Sequence, residues 1–182
     1  MAMVGLFWIA EGDVYVGAKP SGLAPGVRLT PEGVVALGDK QSAFWPWEDV
    51  HSLTIDDVPV KSLKRRLGAA VDMVLTVGLG GTDGAPTMTV RVGGPDGAET
   101  ELTAYTAAAV GYSATEYDLS RTLLAGLTQG AGTLLTTLTA MAEWGRRHEG
   151  GSPRAAAREA LLREWLAVAD ATEPGRGGLS GR

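Results

Sequence analysis

The chain has 182 residues, a formal charge of −5 at neutral pH, 45% hydrophobic residues and no cysteine. That length suits one domain with an appendage, or two very small domains. The missing thiols exclude disulfides, thiolate nucleophiles, cysteine-ligated zinc and iron–sulfur clusters, and the acidic balance argues against nucleic-acid or anionic-membrane binding, which needs a concentrated basic surface.

The opening segment, MAMVGLFWIAEGD, has no basic start and only a short apolar run, so it reads as a strand rather than an export signal. No apolar stretch approaches the ~20 residues of a membrane span, and a cytoplasmic protein is expected. Residues 5–9 lead into the turn Glu11-Gly12-Asp13, and residues 14–16 return. Residues 27–29, the turn Thr30-Pro31-Glu32-Gly33 and residues 34–37 form a second hairpin, with Pro and Gly at the positions such a turn favours. Further strands are predicted over 43–47, 50–55 and 71–79, followed by a glycine-rich loop over 80–84. Residues 88–92 alternate in and out, and Pro95-Asp96-Gly97 turns the chain into a strand over 100–105.

After Tyr112 the apolar period lengthens. Ser113-Ala114-Thr115-Glu116 fits a capping box, and Leu119, Leu123, Leu124 and Leu127 make one helical stripe. Leu134, Leu135, Leu138 and Met141 make a second, closed by Arg146, Arg147 and His148. The sequence leaves open whether this is one broken helix or two. Glu149-Gly150-Gly151-Ser152-Pro153 reads as a linker over 149–153, with Ser as cap and Pro at the first helical position. The helix it opens, residues 154–171, carries Leu161, Leu162, Trp165, Leu166 and Val168, and a Gly, Pro, Arg and Ser-rich tail over 172–182 is expected to be disordered.

No constellation carries catalysis. Gly78-Leu79-Gly80-Gly81 lacks the Gly-Lys-Ser/Thr ending of a phosphate loop, and Asp56, Asp57, Asp72 and Asp83 match no calcium spacing. The two histidines, His51 and His148, lie far apart in sequence, which excludes a multi-histidine metal site. No enzyme, metal or cofactor is expected. Trp45, Trp47 and His51 form the densest aromatic and titratable cluster, and Lys61, Lys64, Arg65 and Arg66 the basic run nearest to it. Together they define a candidate ligand or anion site, weighed against tryptophans that pack a sheet end and a solvated charged turn.

Phe44-Trp45-Pro46-Trp47-Glu48-Asp49-Val50, continuing through Ile55, resembles a stretch of bacterial PH-like domains. Arg28-Leu29-Thr30-Pro31-Glu32-Gly33-Val34 looks like the hairpin that precedes it there. The resemblance spans residues 5–148 and implies an α+β fold: an antiparallel sandwich or barrel of about seven strands, one end closed by a helix. It also implies a binding or scaffolding role. Lipid-binding members use basic residues in the first hairpin loop, whereas this loop is Glu11-Gly12-Asp13, so phosphoinositide binding does not carry over. The resulting expectation is a domain over 1–148 followed by a hinged amphipathic helix. Its function is that of a protein-interaction or adaptor module, and Leu161, Leu162, Trp165, Leu166 and Val168 are expected to dock another protein or a second protomer.

Overall fold

The computed structural model describes residues 1–61, 86–109 and 111–172. The basic residues Lys64, Arg65 and Arg66, the strand and loop expected over 71–84, and the tail from 173 onward lie outside the described residues.

Tight turns and short β-rich segments fold the described residues up to Tyr105 into nine antiparallel strands in two sheets. The first sheet is a meander of six: β1 (Ala2–Val4), β2 (Phe7–Ala10), β3 (Asp13–Val16), β4 (Gly26–Leu29), β5 (Gly33–Leu37) and β6 (Ala43–Pro46). The second contains β7 (Ser52–Asp56), β8 (Thr87–Gly93) and β9 (Glu99–Tyr105). Three helices follow: α1 (Ala114–Leu127), α2 (Ala131–Arg147) and α3 (Ala155–Thr172). Against the expectation of about seven strands, the described residues alone hold nine. Among the described residues the sheets do not close into a barrel.

One added strand comes from the N-terminus, where residues 5–9 are not a single strand. Val4 pairs with Phe7 across a two-residue loop whose first residue, Gly5, has φ +56°. A side chain at that angle is strained, and its Cβ would lie 2.3 Å from Ser120 Oγ. The next hairpin, with Ala10 paired to Asp13, turns through Glu11 and Gly12 at φ +58° and +94°. Two successive positive angles mark the hairpin turn whose twist matches the strands it joins. Pro46 is tolerated because β6 is the edge of its sheet.

Strand alternation sorts the six-stranded sheet into rows. Ala2, Ile9, Val14, Leu29, Val34 and Trp45 are cross-strand neighbours. The first five are buried in the core, and Trp45 packs half-buried at the row's end. The alternate row runs Met3, Trp8, Tyr15, Arg28, Val35 and Phe44, and ends exposed at Phe44. The second sheet contributes Leu53, Ile55, Met88, Val90, Val92, Leu102 and Ala104 to the same core. Gln41 fastens the two sheets together. Its Nε2 donates to the carbonyls of Gly26, Leu37 and Thr103, and its Oε1 accepts from the Thr103 amide at 2.8 Å. The side-chain amide thus meets β9 as a neighbouring strand would.

The helices close the core. Ser113 and Glu116 form the expected capping box of α1, and the chain breaks at Gly130 before α2 begins, giving two helices. Helix α1 packs on β7, α2 on β2 and β3, and α3 on α1, α2 and β1. Among the described residues no helix is long and apolar enough to cross a membrane.

Candidate functional site

Two of the five α3 residues expected to dock a partner are buried against the chain's own fold. Leu162 is 0% exposed and Trp165 2% exposed, both within the one hydrophobic core. The Trp165 ring meets Trp144 of α2 edge-on at 5.9 Å, and Trp144 in turn stacks on His148 at 4.5 Å. Leu161, Leu166 and Val168 are half-buried. The hinge read at 149–153 is tied down at both ends: Ser152 Oγ accepts from the Met3 amide at 2.9 Å, and His148 Nε2 lies 2.9 Å from the Gly151 carbonyl.

A buried ion pair adds direction to this packing. Arg158 of α3 binds the Glu116 carboxylate through Nε and donates through Nη1 to the Pro153 carbonyl at 2.6 Å. Glu116 also accepts from the Ser113 amide, and Ser113 Oγ donates to Glu159. Burial by itself pushes the Glu116 carboxyl upward. The Arg158 hydrogen bond, the Ser113 bonds and the Arg158 charge outweigh it, leaving the carboxyl below its ordinary range. The cluster is saturated by its own members, so its chemistry is that of a latch.

Of the residues expected to form a ligand site, Trp45, Trp47, His51 and Lys61 are among those described. Trp45 ends a core row, His51 is exposed with its amide bound to the Gly93 carbonyl, and Lys61 is exposed with its amide on the Tyr112 carbonyl. Gly93 pairs with Ser52 at the start of β7, and Tyr112 bridges Val60 beyond its end. Trp47 joins a concave surface. It sits in the single 3-10 turn Trp47–Asp49, and its Nε1 donates to the Thr30 carbonyl at 2.7 Å.

That surface is a groove of about 420 Å³ between two β-turns and the corner where α1 gives way to α2. One wall holds Glu32, at the tip of the Thr30–Gly33 turn, with Trp47 and Glu48. The other holds Leu127, Leu134 and Leu135. Leu127 and Leu134 are buried, whereas Leu135 is 47% exposed. Both glutamates are exposed, and the lining includes no basic side chain. Sequence reading assigned Leu135 to the core stripe and passed over the two glutamates. No local signal separates the two leucines: adjacent helical residues point about 100° apart, yet the equally adjacent Leu123 and Leu124 of α1 are both buried in the core.

Nothing in the groove is a nucleophile-and-base pair. Among the described residues there is no group of three or more His, Asp or Glu placed to hold a metal ion. What the groove offers is apolar area beside negative charge. Comparison of the chain with protein-family models, with curated proteins and with solved structures found no match.

Proposed function

We propose that this chain is a non-catalytic, cytoplasmic protein-interaction or adaptor module, and that the groove between Trp47 and Leu135 is its contact surface. Leu135 carries the reading. A leucine 47% exposed on the wall of a concave apolar surface gains about 1 kcal/mol when its remaining area is covered, half of what full burial is worth. Beside it, Trp47 is held in place by its bond to Thr30, so little side-chain freedom is lost on contact. Preformed aromatic and aliphatic area of this kind suits recognition of another chain.

A PH-like arrangement belongs to the same proposal. Support comes from a meander, a second three-stranded meander and a following capped helix. The open sheets and the two further helices depart from that pattern.

Selection of a displayed random-peptide library on the full chain and on Leu135→Asp tests the reading. Peptides retained by the parent and lost on the variant, with the variant's melting temperature unchanged, are the expected result. Equal recovery from both proteins would remove the groove from consideration.

A further inference from the structure

We infer that the partner of this groove is a basic peptide segment carrying one large apolar side chain, an inference that rests on the groove being the contact surface. The lining divides its character cleanly. Glu32 and Glu48 stand on separate turns of the strand-side wall, both exposed. The helix-side wall presents Leu127, Leu134 and Leu135. A segment lying between them meets carboxylates on one side and aliphatic area on the other. It therefore needs a cation and a bulky apolar group within a few residues of each other.

Two observations favour a peptide of that kind over other ligands. A phosphate-bearing ligand, whether nucleic acid or anionic headgroup, would face two carboxylates with no compensating base in the lining. The whole chain carries −5, which draws basic segments toward it and repels acidic ones.

The experiment reads the composition of the retained peptides and the effect of neutralising the rim. A displayed random-peptide library is selected on the parent chain and on the double variant Glu32→Gln/Glu48→Gln, with Leu135→Asp as the control for the groove itself. Parent-selected peptides should be enriched in Lys or Arg next to Leu, Phe or Trp. One enriched peptide, synthesised and titrated by fluorescence polarisation, should bind about fivefold more weakly to the double variant, as two solvent-exposed charge contacts allow. Its affinity for the parent should fall as salt is raised. Peptides lost on Leu135→Asp but neutral or acidic in composition would overturn the charge inference and leave the groove reading standing. An affinity unchanged by neutralising both glutamates would do the same. Failure to retain any peptide above the Leu135→Asp control would overturn both.

Discussion

Replacing Arg158 by Met tests whether α3 is latched to the body through charge. In the native fold Glu116 is 2% exposed and the Arg158 side chain 15% exposed, so the pair is largely removed from water. Arg158→Met keeps most of the aliphatic stem but leaves the Glu116 carboxylate with only the Ser113 amide as partner. Breaking one side of a buried pair costs about 3–5 kcal/mol, and slight solvent access at Arg158 places this case near 3. For a chain of this size that lowers the melting temperature by about 6–12 °C. The sign of the pH dependence follows from Glu116. Its folded pKa lies below the ordinary 4.5, so its stabilisation is full above that value and is lost as pH falls through the folded pKa. Without Arg158, two of the causes that lower it are gone and the carboxyl moves upward from its native position. The gap between parent and variant should therefore be widest at neutral pH and narrow below about 4.5. Urea melts of the parent, Arg158→Met and Glu116→Gln/Arg158→Met at neutral and acid pH supply the measurement. The double variant should recover part of the loss, because no unpaired charge remains. A loss below about 1 kcal/mol at neutral pH, the range of solvent-exposed pairs, would refute the latch. So would a loss that does not change with pH.

Three further substitutions probe the packing, each read by thermal or urea melting. Trp165→Ala should cost about 3–5 kcal/mol, because a ring 2% exposed against Trp144 leaves a cavity when removed; a negligible loss would return α3 to the status of a hinged arm. Gly145→Ala should destabilise by about 1–2 kcal/mol despite alanine's better helix propensity. Its Cβ would lie 2.3 Å from Ile9 Cγ2, where α2 presses on the sheet. Thr137→Val should leave stability unchanged or raise it by about 1 kcal/mol, since the Thr137 hydroxyl is fully buried without a hydrogen-bond partner.

Local chemistry was legible in the order of residues. Thr30-Pro31-Glu32-Gly33 turns where Pro and Gly allow it, and Ser113 and Glu116 cap α1 through bonds that join residues three apart. The β-to-α change after Tyr112 likewise follows from the apolar period. These features depend on neighbours within a few positions, so one sequence is enough to specify them. The split at Gly5 was harder to read. It needs a positive φ, and it needs the approach of Ser120, which belongs to a helix more than a hundred residues away.

Tertiary structure alone decided what covers each apolar surface. The stripe through Leu162 and Trp165 shows that α3 must be covered, but the pattern of an amphipathic helix is the same against its own core and against a partner. Arg158 meets Glu116 and Trp165 meets Trp144, so this part of the stripe is covered by the chain's own body. The groove has the same origin. Glu32, Trp47 and Leu135 come from two turns and a helix, and no spacing in the sequence relates them. Composition and local order determined an acidic, cysteine-free α+β chain. That Leu135 stays half in water beside a buried Leu134 was settled only when strands and helices packed, because burial is a property of the whole fold rather than of any one residue.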